Sequence, residues 1–347
     1  MSPESVGPHG YAGSRMRCIS SLVRLCVPLF VLALLSSACA VDTAVQRTSS
    51  GAAGSTGAAG VAAEPVDVEF EATTEYLARA RMQTVQAASF RFEGLSEVES
   101  SLFDMGSRTT PFVTGEVDGQ ESHTYVDMGA FMGAMLNQLD LGIDSADLNM
   151  TIVTDADAAY LNAPFFSAFA AVDPSMSGMD WLDDIATGWG RIDLDEFDNG
   201  DLMSGIGAGS AGTEILAVLD SAAEVLDGGE ADVRGVSTRV AHANVSFADL
   251  IEASGQDLEA LGVGNGEASI LQGLSANVAV FVDDNEMVRR VEFTMDFSAL
   301  ESMDPSMAGL DMVMWQQVDF FDFGADVNVD VPTEWIDITD EFGDLAG

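Results

Sequence analysis

The stretch Ser275-Ala276-Asn277-Val278-Ala279-Val280-Phe281-Val282, then Asp283-Asp284-Asn285-Glu286, then Met287-Val288-Arg289-Arg290-Val291-Glu292-Phe293-Thr294-Met295-Asp296-Phe297, decides the fold. Two runs rich in β-branched and aromatic residues, joined by turn formers, predict an antiparallel hairpin. The pattern continues on both sides. Residues 233–247 form one long alternating stretch upstream, 311–323 predict a further long strand and 326–331 a short closing one, while 248–261 suit one or two short helices.

The first half of the folded part has the same character. A helix is expected from Thr73 or Thr74 to about Ala87, with Tyr76, Leu77, Ala80 and Val85 on one side. Three antiparallel strands follow: 89–93, where Ser89-Phe90-Arg91-Phe92-Glu93 alternates at period two, 108–118, with Pro111 marking an edge or a start, and 121–127, reached through Val117-Asp118-Gly119-Gln120. Residues 128–139 carry Phe131, Met132, Met135, Leu136 and Leu139 at helical spacing, and strands resume at 149–154 and 158–162 around Asp155-Ala156-Asp157. Residues 163–211, with Pro164, Pro174, Trp181, Trp189 and many glycines, predict a long excursion containing short helices. A better helix is expected over 213–226, carrying Ile215, Leu219 and Val225 and stopped by Asp227-Gly228-Gly229. The order of helix, meander, helices and meander predicts an α+β domain with an antiparallel sheet.

The N-terminus has a different grammar. Arg15, Arg17 and Arg24 precede the apolar run 25–35, and Leu35-Ser36-Ser37-Ala38-Cys39 closes it. This is the pattern of a processed export signal whose cysteine is diacylated, although Ser36 stands where an aliphatic residue is usual. The run is 11 residues long and contains Pro28, whereas a bilayer-crossing helix needs about 20 apolar residues. Start codons at Met1 and Met16 both stay open. The expected organisation is a signal peptide over 1–38, a flexible tether rich in Ala, Gly, Ser and Thr over 39–66, and a single α+β domain over 67–347. The expected location is the extracytoplasmic face of a cell membrane, with lipidated Cys39 as the anchor.

Charge and cysteine content remove several function classes. All 13 basic residues are arginine and the net charge is -44; removing residues 1–38 takes away three arginines and Glu4, leaving ten arginines against 56 acids, or -46. Such a surface repels phosphates, so no nucleic-acid partner is expected, and acidity spread along the whole chain suits solubility in a salty medium. Cys18 and Cys26 fall inside the signal, so Cys39 is the one mature cysteine and no disulfide or thiolate site is expected in the folded part.

Motifs for catalysis and cofactors are weak. His123 and His242 each lie within a predicted strand, and Ala208-Gly209-Ser210-Ala211-Gly212 lacks the first glycine of a nucleophile elbow. Gly205-Ile206-Gly207-Ala208-Gly209 has neither the spacing nor the lysine of a phosphate-binding loop. In Asp193-Leu194-Asp195-Glu196-Phe197-Asp198-Asn199-Gly200-Asp201, putting Gly200 at the sixth position of a calcium loop places Phe197 third and Ile206 twelfth, where oxygen ligands are needed. An irregular calcium site therefore stands beside the simpler reading of a solvated acidic loop. The methionines Met128, Met132, Met135, Met303, Met307, Met312 and Met314 suit a core or an adaptable apolar lining better than copper ligation. The chain is expected to be no enzyme and to need no metal or cofactor.

The segments Asp232-Val233-Arg234-Gly235-Val236-Ser237-Thr238-Arg239, 245–254, 278–284 and Val288-Arg289-Arg290-Val291, with 320–324 and 327–332, come in the order found in a known group. Ser89-Phe90-Arg91-Phe92, Val117-Asp118-Gly119 and Ala159-Tyr160-Leu161-Asn162-Ala163-Pro164 fall in the same order. Over roughly residues 70–340 the chain resembles the LppX/LprG-type lipoproteins of mycobacteria and other actinobacteria. The resemblance implies a curved antiparallel sheet, a half-barrel like that of periplasmic lipoprotein carriers of the LolA type, with helices on its concave face and an apolar cavity for a lipid or another hydrophobic ligand. Phe90, Phe92, Phe131, Met135, Tyr160 and Leu219 are the expected lining. A filled core, in an envelope protein acting through its acidic surface, is the alternative.

Overall fold

A computed structural model of the chain describes residues 74–100, 104–139, 143–170, 179–194, 225–246, 274–298 and 311–346. The expected signal, the tether and Cys39, the helix up to residue 224, the short helices over 248–261 and most of the acidic loop 193–201 lie outside the described residues.

Thirteen described strands form one open, curved antiparallel sheet, a half-barrel whose concave face carries helices. In chain order they are β1 (Ser89–Ser100), β2 (Asp104–Ser107), β3 (Val113–Asp118), β4 (Glu121–Asp127), β5 (Asn149–Thr154), β6 (Ala158–Asn162), β7 (Gly190–Asp193), β8 (Val225–Val233), β9 (Val236–Ser246), β10 (Ser275–Asp283), β11 (Val288–Asp296), β12 (Met312–Phe321) and β13 (Ile336–Asp337). The order across the sheet is β13-β7-β6-β5-β4-β3-β1-β12-β11-β10-β9-β8, with β2 beside β1 and one parallel pair, β13 with β7. The two meanders therefore meet at the ladder of β1 with β12, where Phe92 stands opposite Phe320 and Val98 opposite Met314.

The hairpin of β10 and β11 forms as expected, and Asp283 organises its turn. One carboxylate oxygen accepts the N–H groups of Asn285 (2.8 Å) and Met287 (3.0 Å), and the other takes Arg289 Nε at 2.8 Å. Between β3 and β4 the two-residue turn Gly119-Gln120 has Gly119 at φ +61°, a conformation that costs glycine little.

Helix α1 (Thr74–Val85) buries Leu77, Ala80 and Thr84, spaced to fall on one face. Thr84 Oγ1 donates to the Ala80 carbonyl and accepts the Val288 N–H, both at 2.8 Å, which ties the helix to the start of β11. Asp127 precedes α2 (Met128–Leu139) and accepts the Ala130 N–H at 2.8 Å, the bond of an N-cap. The excursion after β6 contains α3 (Pro164–Ala170) and α4 (Asp180–Thr187), and α5 (Thr339–Ala346) ends the described chain.

Four expectations need correction. The single strand over 233–247 is the end of β8, a two-residue turn at Arg234-Gly235 and β9; both turn residues have positive φ, 53° and 82°. Val225 and Leu226, expected to finish a helix, begin β8, and Asp227-Gly228-Gly229 is a bulge in that strand. Gly228 leaves room there for the His242 imidazole, which a Cβ would meet at 2.5 Å. The strand expected over 108–118 begins only at Val113, and β2 comes before it. Residues 326–331 join no ladder; instead Val327 and Val329 pack against Val153, Ala158 and Tyr160. In addition, β7, β13 and α5 had no counterpart in the sequence reading.

Candidate functional site

Side chains alternate along a strand, so the ladder registers assign each residue to a face. Phe90, Phe92, Gly94, Ser96 and Val98 of β1 are all buried on the side shared with Phe320, Val318, Gln316 and Met314 of β12. Met314 in turn stands opposite Met295 of β11. This is the concave side, and its apolar residues join Leu77 and Ala80 of α1, Phe131, Met132 and Leu136 of α2 and Leu182 and Ile185 of α4 in one buried cluster.

Phe92 shows how the face is shaped. A Cβ on Gly115 would stand 2.5 Å from Phe92 Cε1 and 2.7 Å from the His123 carbonyl oxygen. The ring therefore reaches over Gly115 of β3, into space that only glycine leaves free. Phe131 packs on Phe112 with ring centroids 5.5 Å apart, and Met135 lies partly buried against the same cluster.

Four of the expected lining residues, Phe90, Phe92, Phe131 and Met135, are thus brought together. Tyr160 is not one of them. Its neighbour Leu161 faces the concave cluster, while Tyr160 belongs to a separate cluster on the convex side and donates its hydroxyl to Asp155 at 3.1 Å. Burial, and then the bond to Asp155, raise its pKa. Leu219 and Cys39 lie outside the described residues.

The two faces divide the polar chemistry sharply. On the five consecutive strands β5, β4, β3, β1 and β12 the concave positions carry no ionisable side chain. Their polar groups are hydroxyls and one amide: Ser96, Ser100, Thr124, Gln316, and the pair Ser122 and Thr154, whose oxygens share a hydrogen bond of 2.5 Å. Ser96 and Thr124 are only 1% and 4% exposed, and their hydroxyl oxygens have no hydrogen-bond partner among the described residues. Sequence reasoning passed over both; their signal was a hydroxyl at an inward position of an alternating strand.

The charges of these five strands lie on the convex face. Asp319 takes Arg290 at 2.6 and 2.9 Å, Arg234 at 3.1 Å and Gln317 at 3.0 Å. Arg234, in the turn of the β8–β9 hairpin, also pairs with Glu93 and lies 4.0 Å from the Phe321 ring centroid, so the hairpin tip is strapped across the convex side. Arg91 bridges Glu116 at 3.3 Å and Asp322 at 3.0 Å. His123 and His242 sit on β4 and β9, six places apart in the sheet, so they are not brought together. Asp193, the described start of the acidic loop, pairs with Arg191 at 3.0 Å. Among the described residues no group of three acidic, histidine or cysteine side chains could hold a metal, and no helix is long and apolar enough to cross a membrane.

No family model and no curated protein matches the sequence. Solved structures do. The chain is similar in fold to the lipoprotein LppX of Mycobacterium tuberculosis, at 10% identity and a TM-score of 0.36, over 74% of this chain and 98% of that one. It is similar to LprF of Mycobacterium bovis at 12% identity and a TM-score of 0.36, over 75% and 97%. A LolA superfamily protein of Nitrosomonas europaea matches at 8% identity and a TM-score of 0.22, over 76% and 96%. Likenesses at these identities and scores assign no function to this chain.

Proposed function

We propose that the chain is a non-enzymatic envelope lipoprotein, anchored through acylated Cys39, that binds or carries a lipid or another hydrophobic molecule against its concave face. The observation that carries this reading is the separation of chemistry between the two sides of one sheet. Five consecutive strands present phenylalanine, methionine, valine and uncharged hydroxyls inward, while the arginines and carboxylates of those strands lie outward. Burying an unpaired charge is costly, so a face kept free of charge over such a breadth suits contact with hydrocarbon. Methionine adds adaptability, because its unbranched, polarizable side chain fits ligands of varied outline.

The signal-like pattern around Cys39 supports the same reading from the other end of the chain. It would place the domain off a membrane surface on a tether, within reach of lipid.

Titration of the purified protein with a fluorescent long-chain acyl probe tests the binding reading. Saturable emission enhancement, competed by unlabelled fatty acyl esters, is expected; no saturable binding at probe concentrations below micelle formation would contradict it.

A further inference from the structure

Two buried hydroxyls stand out on the concave face because nothing described satisfies them. Ser96 Oγ on β1 and Thr124 Oγ1 on β4 are enclosed without a hydrogen-bond partner among the described residues. Leaving such a group unsatisfied is unfavourable, and buried polar atoms in folded proteins are nearly always paired with protein, water or ligand. Their near neighbours differ in this respect: Ser122 and Thr154, on the same face, satisfy each other. Thr124 faces Gly115 across the β3–β4 ladder, and Gly115 faces Phe92 across the β1–β3 ladder. Ser96 lies four residues further along β1 and opposite Gln316. At about 3.3 Å per residue and about 4.8 Å per strand, the two hydroxyls are roughly 16 Å apart. The Phe92 ring lies over Gly115 beside Thr124.

We infer that Ser96 and Thr124 are specificity-determining contacts: two separated hydroxyls that hydrogen-bond uncharged polar groups, such as esters or hydroxyls, set within an otherwise apolar ligand. The inference rests on the ligand-binding reading above. It also says what the face rejects. With no cation at the concave positions of these five strands, a carboxylate or phosphate brought there would be desolvated and unpaired. A plain hydrocarbon would leave both hydroxyls unsatisfied. An ester-bearing or hydroxyl-bearing chain meets both conditions, since a serine or threonine hydroxyl can donate as well as accept.

The test uses the full chain, the variants Ser96→Ala and Thr124→Val, and three fluorescent probes of matched length: a pyrenyl alkane, the methyl ester of a pyrenyl fatty acid, and the free pyrenyl fatty acid. The wild-type protein should bind the methyl ester most tightly. Each variant should lose about two- to tenfold in affinity for the ester, the range of one net hydrogen bond, and change little toward the alkane. Melting temperatures of the unliganded variants should stay level or rise, because an unsatisfied buried hydroxyl has been removed. A hydroxyl that is only structural would lower the melting temperature and leave the preference for ester over alkane unchanged. Ester and alkane affinities that move together in both variants would overturn the inference and leave the ligand-binding reading in place. Failure of the wild-type protein to bind any of the three probes would overturn both.

Discussion

At the residue scale, Phe92 and Gly115 form one unit. The ring lies where a β-carbon on Gly115 would be, so Gly115→Ala forces Phe92 off its rotamer or separates β3 from β1. Overpacking of this kind costs about 1–3 kcal/mol. Gly115→Ala should therefore lower the midpoint of denaturant unfolding, and adding Phe92→Leu should recover part of the loss. A double variant no more stable than Gly115→Ala alone would show that the two residues do not compete for this space. Asp319 is the corresponding unit on the convex face. At 4% exposure it takes three side chains from three different strands or turns. Asp319→Ala removes the acceptor shared by Arg290, Arg234 and Gln317, so it should lower the midpoint of denaturant unfolding more than the loss of a single exposed pair such as Arg91 with Glu116.

At the element scale, α1 depends on few contacts, and they predict how it detaches. Thr84→Val would keep the shape and leave the Val288 N–H buried without its acceptor, at a cost of about 1–3 kcal/mol. Tyr76, at the other end of α1, has its phenol pKa pushed from 10.0 up to about 12, first by burial and then by Glu286 and Asp283 nearby. A raised folded value means that the neutral phenol stabilises the helix fully below pH 10, and that this contribution is lost as the pH rises from 10 toward 12. Hydrogen exchange in α1 should accelerate over that interval in the wild-type protein and less so in Tyr76→Phe. Elements with strong periodicity, namely α1, α2, β5 and the β10–β11 hairpin, were legible in the sequence because local pattern and tertiary burial agree there. The β8–β9 hairpin was hidden because its turn uses Arg234, a residue seldom found at positive φ, and because Val225 and Leu226 continue a helical spacing. Residues 326–331 misled in the opposite way: their alternating valines cover Tyr160 without forming a ladder. The face of Tyr160 was unreadable, since β6 is buried on both sides and its four residues 158–161 show no alternation. Among the site residues, Phe90 and Phe92 were legible from period two alone, whereas Ser96 and Thr124 gain meaning only once their burial is known.

At the scale of the whole molecule, the strands β5, β4, β3, β1 and β12 keep an uncharged concave face within a chain whose net charge is -44. Self-repulsion of that size opposes compaction, and salt screens it over about 10 Å at 0.1 M and about 3 Å at 1 M. The melting temperature should accordingly rise as sodium chloride is raised from 0.05 to about 1 M; a flat or falling curve would mean that local ion pairs outweigh net repulsion. In the proposed account, charge outside serves solubility, Cys39 serves attachment, and the concave face serves binding. Cys39→Ser should move the exported protein from the detergent phase to the aqueous phase on phase separation, without changing its affinity for acyl probes. The central claim is that the concave face holds a hydrophobic ligand, and the most direct measurement is mass spectrometry of organic extracts from protein purified out of its native envelope, compared with a mock purification. The account predicts a lipid species enriched in near-stoichiometric amount and bearing an uncharged ester or hydroxyl. Extracts indistinguishable from the mock, from a protein that also fails to bind labelled acyl chains, would contradict it.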